Sequence, residues 1–273
     1  MAENRSVVLA GCGNMGFAML QGWLASQALK PEDAYVVEPN EGLRERAAEL
    51  DVTAVADAGD LPDGLVPAMI VLAVKPQAMD AVLPAYAALA QKGAAIVSVA
   101  AGIRIARFEE EFGTDAAVIR VMPNTPAAVG AGMMAICANR AASPEQVEFA
   151  QTLMAASGDT AVIDDEALMD AVTAVSGSGP AYLFHMIEAL TSAAKTAGLP
   201  DDLAAQLARQ TIYGAAVYAN RSGVAPGTLR EQVTSPNGTT AAALDVLMGD
   251  DRLTTLMTEA VEAARKRSVE LGS

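Results

Sequence analysis

The segment "SVVLAGCGNMGFAMLQGWLASQ", residues 6–27, decides the reading of the chain. A short β-branched and apolar run, Val7 to Ala10, passes directly into Gly11-Cys12-Gly13-Asn14-Met15-Gly16. Apolar residues then recur at helical spacing: Met15, Met19, Leu20, Trp23 and Leu24. Strand, glycine-rich turn and helix in this order are what a GxGxxG turn needs to cradle a pyrophosphate. Gly11 permits the tight turn, Gly13 allows close approach of a phosphate, and Gly16 lets the helix lie against the strand. The free amides at the helix start then face the anion. The segment predicts a dinucleotide site at the first βα turn.

The alternation continues. "AYVVEPN", "AMIVLAVKP", "AAIVSVAAG", "AAVIRVMPNTP", "GMMAICAN" and "TAVIDD" read as strands, separated by "GLRERAAEL", "AMDAVLPAYAALA", "IARFEEEF" and "SPEQVEFAQTLMAASG" as helices. The last of these helices has Ser143 as N-cap and Pro144 at its first position. Repeated βα units predict an α/β, Rossmann-like, doubly wound and mostly parallel sheet over residues 1–163. Such sheets bind ligands beyond the carboxyl ends of their strands. "VKP" at 74–76, "AAG" at 100–102 and "MPNTP" at 122–126 stand at strand ends, so they and the glycine-rich loop are expected along one cleft. Ordinary turn chemistry also places Pro and Gly there. Glu38, with Asn40 just beyond, closes the second strand, where an acid bonds the adenosine ribose and repels a 2′-phosphate. That favours NADH over NADPH, although Arg44 and Arg46 lie near enough in sequence to partner a phosphate.

From residue 164 to 273 the pattern turns helical, which predicts an all-α C-terminal domain. Two small-residue stretches interrupt it: "SGSGP" at 176–180 and "SPNGTT" at 235–240. Both read as helix starts, with Ser178 capping the first, and bare amides at such starts hold small anions. One substrate carboxylate held by both is the expectation. The single histidine, His185, reads as structural, and Lys75 reads either as a cofactor contact or as a solvated lysine.

Composition narrows the class. The chain has 273 residues and a formal net charge of −15, which argues against general affinity for nucleic acid or anionic membrane. Hydrophobic residues make up 52% and aromatics only 4%, so Ala-rich helices suited to subunit contacts are expected. Cys12 and Cys137 have no ligand-like neighbours for zinc and are too few for a disulfide framework, so no metal site is expected. Neither a signal peptide nor an uninterrupted apolar run of about 18 residues is present, which predicts a cytoplasmic protein.

The segments "GCGNMG", "AVKPQ", "VSVAAG", "RVMPNTPAAVGAGM", "AVSGSGPAY" and "SPNGTTAAAL" together resemble pyrroline-5-carboxylate reductase, in the family's order from residue 11 to about 244. The resemblance implies NADPH- or NADH-dependent reduction of the cyclic imine 1-pyrroline-5-carboxylate to L-proline, the last step of proline biosynthesis. It implies cofactor contacts from Gly11, Cys12, Gly13, Asn14, Met15 and Gly16, from Glu38 and Asn40, from Ala73, Val74, Lys75 and Pro76, and from Ala100, Ala101, Gly102 and Asn124. Ser176, Gly177, Ser178, Asn237, Gly238 and Thr239 are implied in substrate binding, with Ser235 and Thr240 catalytic and Thr240 nearest the ring nitrogen. Homodimers that build the site from both subunits, and rings of such dimers, are implied as well. Two departures stand out: Asn237 replaces the first of two family glycines, and Glu38 stands where NADPH users carry a small or polar residue. A β-hydroxyacid dehydrogenase would share the architecture, but its lysine position is Leu183 here. A non-catalytic dinucleotide sensor is the other alternative.

Overall fold

The computed structural model describes residues 5–272. Eight strands form one sheet in the order β3-β2-β1-β4-β5-β6-β7-β8: β1 Val7–Ala10, β2 Ala34–Val37, β3 Thr53–Val55, β4 Met69–Leu72, β5 Ala95–Ser98, β6 Val118–Met122, β7 Gly132–Ala138 and β8 Gly158–Val162. Every adjacent pair is parallel except β6–β7. Only about nine residues separate β6 from β7, too few for the crossover that a parallel neighbour needs, so β7 returns antiparallel. The three-residue β3 is absent from the strands expected from sequence, because so short a run has no periodicity to detect.

Between the strands run α1 Asn14–Ala25, α2 Glu41–Ala48, α3 Met79–Val82, α4 Ala87–Ala90, α5 Ile105–Phe112 and α6 Pro144–Ala155. The single helix expected at 78–90 is instead α3 and α4 joined by a 3-10 turn, Leu83–Tyr86, where Pro84 lacks the amide an α-helix requires. At α6 the expected cap is present and doubled. Ser143 accepts from the Gln146 amide, and the Gln146 side chain accepts from the Ser143 amide.

Successive strand residues serve opposite faces. Val7, Leu9, Met69, Val71 and Trp23 pack on one side, while Val8, Ala10, Ile70, Leu72, Tyr86 and Phe108 pack on the other. Both faces are covered, as a doubly wound sheet requires.

The remainder is helical: α7 Met169–Val172, a π-helical turn Thr173–Gly177, α8 Gly179–Thr196, α9 Asp201–Ser222, α10 Pro226–Gln232, α11 Thr239–Met248 and α12 Arg252–Leu271. By compactness the chain divides after Gly177: the first unit runs to that residue and includes the tail from Arg265, and the second is Ser178–Ala264. This differs from a division after residue 163. The segment after β8 stays with the sheet because Met169 and Ala174 are buried and Glu166 bonds to Arg120 on β6. Among the described residues no helix is long and apolar enough to cross a membrane.

Candidate active site

The glycine-rich turn is built by contact. Gly11 has φ +88°, and a Cβ there would stand 2.9 Å from the Ala73 carbonyl oxygen of the neighbouring strand end. A Cβ on Gly16 would fall 2.2 Å from the Gly11 carbonyl oxygen, so only glycine lets α1 begin this close to β1. Above Gly13, by contrast, there is open space. Gly13 caps α1 without a side chain, and the first helical bond runs from the Phe17 amide to the Gly13 carbonyl at 2.9 Å. The amides of Asn14, Met15 and Gly16 precede that bond and are offered to an anion.

A cleft of about 420 Å³ opens over this turn, lined by Gly11, Gly13, Glu38, Ala73, Val74 and Lys75 among others. Its walls are largely apolar and its floor is the bare turn, which fits the adenosine half of a dinucleotide. A cavity of about 460 Å³ lies at the amino end of β4, lined by Arg5, Glu145 and Glu148 among others, away from the glycine-rich turn. Ala100, Ala101, Gly102 and Asn124 follow β5 and β6 along the same carboxyl edge but do not line the cleft. Pro76 opens a 3-10 turn after Lys75, which is exposed.

Glu38 is 7% exposed, and both its oxygens are engaged. Oε2 accepts from the Cys12 amide at 2.7 Å, and Oε1 accepts from the Asn40 amide at 3.0 Å. The Asn40 side chain in turn caps α2 by accepting from the Leu43 amide. The arginines named as phosphate partners each bond the backbone. Arg44 Nη1 donates to the carbonyls of Glu38 and Pro39. Arg46 lies over the Phe17 ring at 3.9 Å and donates to the Cys12 carbonyl at 3.0 Å. Cys12 is thus held at its amide by an acid and at its carbonyl by a base. Burial pushes its thiol up to about 11, with Arg46 opposing, so the thiol is neutral at physiological pH. Sequence spacing carried no signal for the Arg46–Phe17 stack, since the pairing depends on how α2 crosses α1.

The two interrupted stretches differ. At 173–178 a π-turn follows α7, and α8 then starts at Gly179 with Pro180 in its first turn. The chain passes from α7 through the π-turn into α8, and Ser178 has helical angles (φ −85°, ψ −22°) with no capping bond, which corrects the expected cap. The Ser176 hydroxyl is spent on the Val172 carbonyl. Gly177 lies against Met122, whose Cε would stand 2.6 Å from a Cβ added there.

At 235–240, in the second unit, the expected open start is present. The Gly238 amide closes a turn on the Ser235 carbonyl, and Asn237 takes the left-handed conformation, φ +59°, that the loop demands. Asparagine tolerates that region better than most residues, so the departure from glycine leaves the loop its shape. Gly238 caps α11 with no side chain, and the first helical bond is Ala242 amide to Gly238 carbonyl. The amides of Thr239, Thr240 and Ala241 precede it.

His185 lies on α8 with Nδ1 3.0 Å from Glu188 Oε2, and both side chains are exposed in the single chain. Among the described residues no three His, Cys, Asp or Glu side chains gather as a metal site would need.

A doubly wound sheet with a phosphate cradle at β1–α1 and an acid closing β2 defines a nicotinamide-dinucleotide oxidoreductase. Residues 6–102 match the family described as NADP oxidoreductase coenzyme F420-dependent. Residues 166–271 match the family described as pyrroline-5-carboxylate reductase dimerisation. The chain is 41% identical to the pyrroline-5-carboxylate reductase of Synechocystis sp. over 97% of each chain. It is likewise 41% identical to that of Pseudomonas aeruginosa, over 97% of this chain and 96% of the relative. The solved pyrroline-5-carboxylate reductase of Coxiella burnetii superposes with TM-score 0.94 at 31% identity, covering 99% of this chain and all of that one. The Plasmodium falciparum enzyme, solved with NADP bound, gives TM-score 0.82 at 29% identity over 99% of each chain. The chain belongs to the pyrroline-5-carboxylate reductase family, and its helical region is that family's dimerisation domain. At the lysine position of a β-hydroxyacid dehydrogenase it carries Leu183, about half exposed on α8.

Proposed function

We propose that this chain reduces 1-pyrroline-5-carboxylate to L-proline. The observation that carries the reading is the match at 41% identity to pyrroline-5-carboxylate reductases along nearly the whole chain. A reduced nicotinamide supplies the hydride when bound. The amides of Asn14, Met15 and Gly16 take the pyrophosphate, Glu38 and Asn40 the adenosine ribose, and Ala73–Pro76 and Ala100–Gly102 flank the remainder along the strand ends.

The residue inventory suits an imine. A protonated imine already carries its proton and a positive charge, so hydride addition needs alignment and electrostatic support more than a general base. In the substrate loop the amides of Thr239 and Thr240 hold the carboxylate. The hydroxyls of Thr240 and Ser235 accept from the ring N–H, and Asn237 and Gly238 set the loop's shape. Ser176, Gly177 and Ser178 complete the substrate contacts. His185 has no part in the chemistry.

The cofactor we favour is NADH. Glu38 places a buried carboxylate where a 2′-phosphate would have to sit, while Arg44 and Arg46 each donate to a backbone carbonyl beside it. The working assembly is a homodimer, further associated as a ring of dimers, in the cytoplasm. The acidic net charge and two buried free cysteines are consistent with that compartment.

The test is oxidation of NADH and of NADPH with added pyrroline-5-carboxylate. The expected result is imine-dependent oxidation with the larger kcat/KM for NADH. Tight dinucleotide binding without imine-dependent oxidation would leave a sensor in its place.

A further inference from the structure

The π-helical turn Thr173–Gly177 leaves a backbone carbonyl without a helical donor. In an α-helix the Ser176 carbonyl would accept from the amide of residue 180, but that residue is proline and has no N–H. A π-helical bond would use the amide of Ala181, and that amide donates instead to the Ser178 carbonyl at 3.0 Å. The vacancy is filled from the sheet. Asn124, two residues beyond β6, donates its Nδ2 to the Ser176 carbonyl at 3.0 Å, across 52 positions of sequence. The other end of the same carboxamide is also engaged, Oδ1 accepting from the Met133 amide at the start of β7 at 2.9 Å. One side chain therefore ties the carboxyl end of β6, the antiparallel return strand and the π-turn together. Met122, at the end of β6, closes on Gly177 from the same strand.

We propose that Asn124 is a positioning residue: its carboxamide replaces the donor that Pro180 lacks and so fixes the Ser176–Gly177 backbone at the carboxyl end of β6. The inference rests on the proposed reduction for its kinetic consequence, but not for the clamp itself. The resemblance implies a cofactor contact from Asn124, but both ends of its carboxamide are bonded within the protein, so its substitution acts on the placement of the π-turn rather than on the dinucleotide.

The test is Asn124→Asp, which keeps the shape and the acceptor towards Met133 but turns an oxygen towards the Ser176 carbonyl. Misplacement of a positioned group costs rate, and a fall in kcat for imine reduction of about ten- to a hundredfold is expected. The dinucleotide Kd, read by nicotinamide fluorescence, should stay within about twofold, because the cradle at Gly11–Gly16 is untouched. Amide hydrogen exchange should quicken across 173–181 while the Met133 amide keeps its protection. A second variant, Asn124→Asp with Pro180→Ala, restores a backbone donor at position 180 and should recover part of the lost kcat and part of the protection. Turnover at the parental rate, a loss of dinucleotide affinity in step with kcat, unchanged exchange over 173–181, or no recovery in the double variant would each overturn the proposal. Should the parent chain itself reduce no imine, the reading of its function fails, and the exchange measurements alone still decide the clamp.

Discussion

The two units of this chain dispose of their apolar side chains in opposite ways. In the sheet unit the six inner strands are buried almost throughout, and Trp23, Tyr86 and Phe108 lie fully inside. Within 178–264 the buried hydrophobic residues are only Ala204 and Ala208, while Leu183, Phe184, Leu207, Tyr213, Tyr218 and Leu256 stand 45% exposed or more. A sheet covered on both faces completes its own core. A layer of amphipathic helices with so much apolar surface open is half of one, and the dimerisation family it matches supplies the other half as a second copy.

Substitutions that separate the two kinds of surface test this contrast, and Phe184→Glu should have the largest effect. Phe184 is 61% exposed, and a residue so exposed on a free surface would cost within about 0.5 kcal/mol. As part of a dimer interface it should cost about 2 kcal/mol or more of association. Light scattering should show monomers, with activity lost, and an intact dimer would break the comparison.

Next in size is Gly16→Ala, which belongs to the completed core. The added Cβ meets the Gly11 carbonyl at 2.2 Å, so α1 has to move away from β1, at a cost of about 2–3 kcal/mol. Thermal unfolding should report lower stability, and titration should report lost dinucleotide affinity with the dimer retained. Thr240→Ala, in the helical unit, should do the reverse: a fall of about ten- to a hundredfold in imine turnover with dinucleotide Kd unchanged. A fully active variant would remove Thr240 from the chemistry.

The smallest effect is expected from Glu38→Ser. Removing the acid should move the kcat/KM ratio towards NADPH by about tenfold, a change of roughly 1.4 kcal/mol. Because the Glu38 carboxylate also holds the Cys12 amide, both cofactors should bind somewhat less tightly. A ratio that does not change would displace Glu38 from the ribose position.

Much of this was legible in the residues. The βα alternation, the GxGxxG turn and the Ser143 cap follow from local rules, because a periodic apolar face, a left-handed φ or a capping hydroxyl is settled within a few residues of the chain. The left-handed Asn237 follows in the same way. The sequence reading fell short just before 179: α8 starts there with Pro180 in its first turn, but Ser178 makes no capping bond and a π-turn, Thr173–Gly177, leads up to it. Propensity could not foresee that, because the turn's orphaned carbonyl is satisfied by a side chain 52 residues away.

By itself, then, the sequence determined a doubly wound dinucleotide-binding half and a helical half punctuated at Ser235–Thr240. Only the tertiary structure decided that β7 runs backwards, that Glu38 spends both oxygens on backbone amides, that Arg46 lies on Phe17, and that Asn124 joins two motifs. The physical reason is range: dihedral preference and periodicity are properties of neighbours in the chain, whereas a buried polar group takes whichever partner packing brings within about 3 Å.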